Sequence, residues 1–322
     1  MKAVMQLKYG TPEVLQLNEV EKPTPKDDEV LVKVHAVSLN IRDWYLLTGS
    51  PFVVRLFEGA ILKPKAQKLG SDIAGVVEAV GSSVTQFKPG DAVFGDNSAH
   101  NRVGLAEYVV LPQDTLALKP ANISFEDAAA VPMAGITALQ GLQGKIQPGQ
   151  KVLIHGASGG VGTFAVQLAK YFGAEVTAVC STRHVEIVRS IGADHVIDYT
   201  KEDFAKNGQQ YDLILAVNGN RSLADYRRSL KPDGTFVCAG GNMSQIFQSM
   251  LLGPVMSKRG NQKLGNVAAH PDQNDLAFMG KLLENGKLRP VIDRCYPLSE
   301  TAEAFRYLGQ KHARGKVIVT VD

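Results

Sequence analysis

Between Ile154 and Gly162 the chain reads IHGASGGVG, four glycines in nine residues, set after the β-like run KVLIH and before the helix-like VGTFAVQLAKYFG. A glycine-dense turn that joins a strand to a helix opens a β-α-β unit, and it commits the next stretch of chain to helices laid on a parallel sheet. The segment keeps that order: EVTAVC, RHVEIVRSIG, HVIDY, YDLILAV and TFVCAG continue the alternation of strand-like and helix-like pieces from Lys151 onward. A doubly wound parallel sheet is the expected result. Val161, Ala165, Leu168, Ala169 and Phe172 recur at helical spacing and give the first helix one apolar face for that sheet.

The string Ala157-Ser158-Gly159-Gly160-Val161-Gly162 fits the dinucleotide fingerprint G-x-G-x-x-G, with alanine in its first position. Its strand-to-helix context is the one the fingerprint requires. Ser158, Gly159, Gly160 and Val161 form the expected phosphate cradle. Gly159 lets backbone approach a pyrophosphate, Gly162 allows close helix-to-strand packing, and the helix N-terminus offers positive potential. An NAD binder carries Asp or Glu at the end of the second strand, about 20 residues on. Here that end reads VCSTRH. It has no carboxylate to accept from a ribose hydroxyl, whereas Arg183 attracts a 2′-phosphate and Ser181 can donate to one, so NADPH is the expected cofactor. Arg183 also reads as a solvated residue in the first turn of the next helix.

At about 150 residues per domain, 322 residues leave room for a second domain. From Lys2 to about Leu118 the pattern is β-rich, with EVLVKVHAVSL, GVVEAV and AEYVVL separated by turn clusters such as PTPKDD and KPGD. One helix-like piece, Ile41 to Thr48, follows Asn40. Ser124 with Asp127 then caps an Ala-rich helical stretch. Asn242 to Gln273 looks irregular and reads as a lid, an interface or a plain surface excursion. The C-terminus closes as strand, helix, strand. With 35 basic against 32 acidic residues and no run of like charges, nucleic acid is not an expected partner. Cys180, Cys238 and Cys295 are flanked by apolar residues and suit reduced core thiols. Neither a signal peptide nor a membrane span is visible, and a cytoplasmic location is expected.

VHAVSLNIRDWYLLTG, GSDIAGVVEAVG, FKPGDAVFG, AEYVV, AAAVPMAGITAL, HGASGGVG, GADHVIDY and the closing GKLRPVIDRCYPLSETAEAFRYLGQKHARGKVIV together resemble the medium-chain dehydrogenase/reductases, in their zinc-independent, quinone oxidoreductase-like branch. The resemblance implies an α/β Rossmann domain inserted into a GroES-like β-rich domain, with 123–287 as the NADPH-binding part and 1–122 completed by 288–322. It implies a cleft between them. Zinc-dependent relatives place a cysteine within the segment matching Ser38 to Asp43 and a histidine within the segment matching Gly70 to Asp72, and neither is present here. The seven histidines, His35, His100 and His155 among them, lack close spacing with cysteine or one another, so no metal is expected.

Bound zinc lowers the pKa of water from ~15.7 to ~7, and alcohol oxidation draws on the same help. Without it, hydride transfer suits acceptors that spread the arriving charge, namely quinones and α,β-unsaturated carbonyls. The resemblance assigns Asn40, in SLN, as a donor near the nicotinamide or substrate oxygen, with Asp43 and Tyr45 as further candidates. Asp43 reads equally as a helix cap, and Tyr45 as packing. The resemblance further places Thr137 at the nicotinamide end and Tyr199 near the 2′-phosphate, although Tyr199 reads equally as covering the sheet edge; Lys316, in the terminal GKVIV, reads either as reaching the cofactor or as a plain surface lysine. Asn218 and Gly240 lie at carboxyl ends of strands, where open α/β sheets bind ligands. His184 stands where related reductases often carry lysine, and AVNGN departs from their usual acidic pattern. A homodimer is the family expectation. Two other readings stay open: an NADPH-binding protein with little turnover, crystallin-like and with an RNA-binding side role, and a zinc-free alcohol or aldehyde reductase.

Overall fold

The computed structural model describes residues 1–57, 61–64, 69–98, 104–241, 243–258 and 261–321. His100, Asn242 and part of the stretch from Pro51 to Lys68 lie outside them. Two compact units emerge: Met1–Met133 with Pro271–Asp322, and Ala134–His270. These boundaries differ from 122 and 288. The helix Phe125–Ala129 packs on the strands Glu29–Leu39 and Asp72–Val80, and the helix Gln273–Glu284 packs on Leu116–Leu118, so both belong to the first unit. Gln273 fastens the second of these by donating from Nε2 to the carbonyls of Gln113 and Leu116, at 3.1 and 2.8 Å.

The first unit is a seven-stranded sheet in the order Ile292–Pro297, Lys316–Thr320, Glu29–Leu39, Asp72–Val80, Ala92–Asp96, Leu116–Leu118, with Tyr108–Pro112 joining Glu29–Leu39. The neighbours run antiparallel except Ile292–Pro297 and Lys316–Thr320, which are parallel because the helix Thr301–Gly309 crosses over between them. Irregularities in register between Leu31 and Val32 and between Val34 and Ala36 bend the long strand, so residues of both faces are buried along it. Val30, Val32, Val37, Leu39 and Ile73, all fully shielded, form its core with Phe305 of the crossover helix. The helix expected over Ile41 to Thr48 is present with those bounds. It stops at Gly49, whose φ of +59° is easy only for glycine. The six-membered ring of Trp44 in this helix packs against Gly309, where any β-carbon would overlap it.

In the second unit six parallel strands stand in the order His195–Asp198, Glu175–Cys180, Lys151–His155, Tyr211–Ala216, Leu230–Cys238, Lys263–Asn266. The chain lays its first three strands outward from Lys151–His155 and then returns to the other side, so the order reverses at the strand that feeds the glycine loop. Such a switch point is where open α/β sheets bind ligands. Val152, Leu153 and Ile154 are wholly buried, as both faces of the sheet are covered. The region from Asn242 to Gln273 is not an excursion. It forms the helix Met243–Lys258 and the edge strand Lys263–Asn266. Pro254 inside the helix and its weak amphipathic pattern conceal it from periodicity. Cys180 and Cys238 are buried, but Cys295 is exposed, contrary to a core assignment. Among the described residues no helix is long and apolar enough to cross a membrane.

Candidate functional site

The glycine loop is held from below. Gly156 and Ala157 donate backbone N–H to the carbonyl of Val179, at 3.2 and 3.1 Å, which ties the turn to the neighbouring strand. The position that demands glycine for its backbone is Gly156, at φ +90°, one residue before the alanine taken as the start of the fingerprint; Ala157 itself is wholly buried. Gly162 leaves no space for a side chain: a β-carbon there would lie 2.8 Å from the Cα of Ala157 and overlap the carbonyl of Gly156. Gly159 is different. It has an ordinary φ of −84°, and a β-carbon on it would find nothing nearer than 3.7 Å. The space beside Gly159 is open, as a backbone approached by a phosphate requires. Gly159 is the N-cap of the helix Gly160–Tyr171 and makes no side-chain cap, so the helix dipole faces that space. Ser158, Gly160 and Val161 are half-buried around it.

At the end of Glu175–Cys180 the chain enters a short turn, Thr182–His184. Ser181 Oγ lies 3.3 Å from His184 Nδ1, Arg183 is exposed, and Tyr199 is 55% exposed with its backbone N–H donating to the carbonyl of Cys180 at 3.0 Å. Ser181, Arg183 and Tyr199 therefore share one end of the sheet. A carboxylate missed by the sequence reading is there too, because Asp198 pairs in register with Cys180. It is already engaged: Thr182 Oγ1 donates to Oδ2 at 2.5 Å, Thr200 donates its backbone N–H and its hydroxyl to Oδ1 at 3.0 and 2.7 Å, and Lys201 Nζ lies 3.5 Å from Oδ2. The Thr182 and Thr200 hydrogen bonds hold its pKa down at about 2. Sequence spacing carries no sign of this, since Thr182 and Asp198 meet only through strand pairing. On the other side of the switch point, Asn218 packs on Gly156 and donates its N–H to the carbonyl of His155 at 3.3 Å, while Gly240 sits against the carbonyl of Val217. Thr137 is buried in the helix Pro132–Leu142.

The first unit holds a separate polar cluster. Asn40 follows the strand Glu29–Leu39 as the N-cap of the helix Ile41–Thr48, Asp72 begins the strand Asp72–Val80, and Lys316 begins Lys316–Thr320. Lys316 Nζ donates to Asn40 Oδ1 at 2.6 Å and lies 3.3 Å from Asp72 Oδ2. Its side chain is 2% exposed and that of Asp72 is fully buried, so Lys316 is an internal counter-ion of Asp72 and not a plain surface lysine. Asn40 Nδ2 donates to Asp72 Oδ2 at 2.9 Å and to the carbonyl of Ser38 at 3.4 Å. The Asn40 amide thus has both of its Nδ2 partners within its own unit. Met133 N–H donates to the other oxygen of Asp72 at 2.9 Å.

Asp43 is wholly buried and accepts from the backbone N–H of Asn40 at 2.7 Å, from that of Gly70 at 3.0 Å and from Ser71 Oγ at 3.3 Å. Removal from water dominates and raises its pKa to about 6. The capping alternative is the one its contacts match. Tyr45 is half-buried, and among the described residues its hydroxyl has no hydrogen-bond partner.

Two family descriptions match: "Alcohol dehydrogenase GroES-like domain" over residues 26–121 and "Zinc-binding dehydrogenase" over residues 191–319. The chain is 35% identical over 314 residues to a chloroplast envelope quinone oxidoreductase homolog of Arabidopsis thaliana, covering 94% of this chain and 92% of that one. It is 35% identical over 334 residues to the chloroplastic NADPH-dependent alkenal/one oxidoreductase of the same plant, covering 99% and 79%. The solved structure of the quinone oxidoreductase from Coxiella burnetii superimposes with a TM-score of 0.89 at 32% identity, over 100% of this chain and 99% of that one. The protein belongs to the medium-chain dehydrogenase/reductases, in the zinc-independent branch related to quinone and enoyl reductases, and is an NAD(P)H-linked oxidoreductase. The zinc of the matched description finds no donor set: among the described residues no three His, Cys, Asp or Glu side chains are placed to hold a metal, and the buried Asp72 is paired with an ammonium.

Proposed function

We propose that the protein is an NADPH-dependent reductase of quinones or α,β-unsaturated carbonyls. The observation that carries the cofactor preference is the state of Asp198. The carboxylate nearest the end of the second strand already accepts from Thr182 and Thr200, which leaves Arg183, Ser181 and the phenol of Tyr199 as the groups a ribose substituent meets. A guanidinium with hydroxyl donors suits a phosphate. The open face of Gly159 and the helix N-terminus behind it receive the pyrophosphate.

When bound, NADPH supplies two electrons as hydride. An enone takes that hydride at its β-carbon and a quinone takes it at an oxygen; the electron pair moves onto the conjugated oxygen, and a proton from solvent or a donor side chain completes a saturated carbonyl or a hydroquinone. Of the three candidates Asn40, Asp43 and Tyr45, the first two are engaged by their own unit, so Tyr45 is the one to test as a proton donor. Likeness to relatives named for quinones and for alkenals supports this acceptor class. The test is oxidation of NADPH and of NADH over a panel of quinones, alkenals and enones, with ethanol and simple aldehydes as controls. NADPH turnover confined to the conjugated acceptors is expected; binding without any turnover, or robust aldehyde reduction, sinks the proposal.

A further inference from the structure

We propose that His155, Tyr226 and Gln245 form a buried positioning relay that sets the loops bearing Asn218 and Gly240, and through them the nicotinamide half of the cofactor site. The proposal rests on the dinucleotide-binding reading of the glycine loop. His155 is the last residue of the central strand, directly before Gly156, and is 6% exposed. Its carbonyl accepts from the N–H groups of Val217 and Asn218, at 2.9 and 3.3 Å, so its backbone holds one loop. Its side chain reaches the next: Nδ1 lies 2.8 Å from the hydroxyl of Tyr226, a fully buried residue of the helix Leu223–Arg228. That hydroxyl donates to Gln245 Oε1 at 3.2 Å, and Gln245 Nε2 donates to the carbonyl of Gly240 at 3.3 Å. The hydroxyl has one proton, given to Gln245, so its lone pair receives Nδ1–H of His155. Burial, with Arg221 nearby, holds the His155 pKa down at about 4, and the imidazole is neutral at working pH.

Glycines make the relay tight. At Gly219 a β-carbon would overlap the Tyr226 hydroxyl and stand 2.5 Å from Gln245 Oε1, and at Gly241, with φ +128°, it would stand 2.5 Å from the carbonyl of Gly219. The two glycines also form a parallel bridge. The loops after Tyr211–Ala216 and Leu230–Cys238 are thereby fixed to each other and to the glycine loop by buried side chains. All of this lies on the far side of the switch point from Arg183. An open sheet of this kind binds one mononucleotide half on each side, so the relay underlies the half that carries the nicotinamide.

The experiment separates the two halves. Binding of NADPH is measured by its fluorescence, and binding of adenosine 2′,5′-bisphosphate, which probes only the phosphate end, by calorimetry. Tyr226→Phe removes one oxygen without changing shape and leaves His155 and Gln245 without their shared partner. The expected result is about a tenfold rise in Kd for NADPH with the bisphosphate Kd unchanged within about twofold. Gln245→Met, similar in length but without the acceptor or the hold on Gly240, gives the same split. Arg183→Asp weakens both ligands. Equal effects of Tyr226→Phe on the two ligands, or no effect on either, overturn the relay while leaving the dinucleotide reading intact; wild-type protein that binds neither ligand overturns both.

Discussion

The cluster around Asp72 and the end of the strand Glu175–Cys180 are both polar, but they are completed differently. Around Asp72, Lys316, Asn40 and Met133 satisfy one another away from water, and every partner comes from the chain. At the strand end Asp198 is engaged by Thr182 and Thr200, while Arg183 and Tyr199 stand exposed at the surface. A site closed by its own groups contributes to folding; a site left with exposed cationic and phenolic groups contributes to binding. Substitutions in the two places should therefore read out in different measurements.

The largest effect is expected at Lys316. Lys316→Ala leaves the Asp72 carboxylate buried without its cation, and breaking one partner of a buried pair costs about 3–5 kcal/mol. Trp44 is the only tryptophan, and it belongs to the helix Ile41–Thr48 of the same unit, so its fluorescence in urea follows this loss directly. The double variant Lys316→Met with Asp72→Asn removes both charges and recovers most of the stability. A single variant that unfolds within about 1 kcal/mol of wild type would show that the pair is not closed in the way described.

Acid sharpens the contrast, because the two kinds of carboxylate titrate in opposite senses. Asp43 ionises near 3.8 when unfolded, and burial raises it to about 6 when folded. Between those values the folded state holds more protons. Its contribution thus favours folding at pH 4 and is withdrawn as the pH rises through 6, by on the order of 3 kcal/mol. Asp198 is held at about 2, so its stabilisation is present above the ordinary carboxylate range and fades as the pH falls toward 2. The Trp44 transition should move to lower urea between pH 4 and 7 in wild type and lose much of that slope in Asp43→Asn. A wild-type midpoint flat over this range refutes the assignment.

Arg183→Asp tests the open end. It should leave the Trp44 transition in place and lower kcat/KM for NADPH about tenfold to a hundredfold relative to NADH, the loss expected when a charged hydrogen bond to phosphate is removed. Equal losses with both cofactors would mean that Arg183 is only a solvated residue of the turn Thr182–His184.

How much of the molecule is legible in the sequence depends on the range of the interaction. The glycine loop and the helix Ile41–Thr48 were legible because their causes are local: a strand before, a helical period after, and a cap or a glycine at the boundary. The Asn40–Asp72–Lys316 cluster was not, although Asn40 and Lys316 each stood out, because Asn40 is 32 residues from Asp72 and 276 from Lys316 and their meeting depends on sheet order. Read one at a time, neither residue shows that its side chain pairs with the other and with Asp72. The engagement of Asp198 by Thr182 was hidden for the same reason. The helix Met243–Lys258 was hidden for a different one: Pro254 and a scattered apolar pattern carry little periodic signal, and packing against the strand Lys263–Asn266 supports the helix instead.

The smallest effect distinguishes two glycines within the same loop. Gly159→Ala adds a methyl where the nearest atom is 3.7 Å away and the backbone is ordinary, so folding should change by less than about 0.5 kcal/mol. The same methyl occupies the space reserved for the pyrophosphate, and the Kd for NADPH should rise about tenfold, since backbone donors at a helix N-terminus act only at contact distance. Gly162→Ala makes the opposite division, because its methyl meets the carbonyl of Gly156 inside the protein and strains the fold before any ligand arrives. Thermal unfolding and NADPH titration of the pair decide it. If Gly159→Ala binds NADPH as wild type does, phosphate does not approach at Gly159, and the binding face of the loop must be sought among the other N–H groups of the Gly160–Tyr171 terminus.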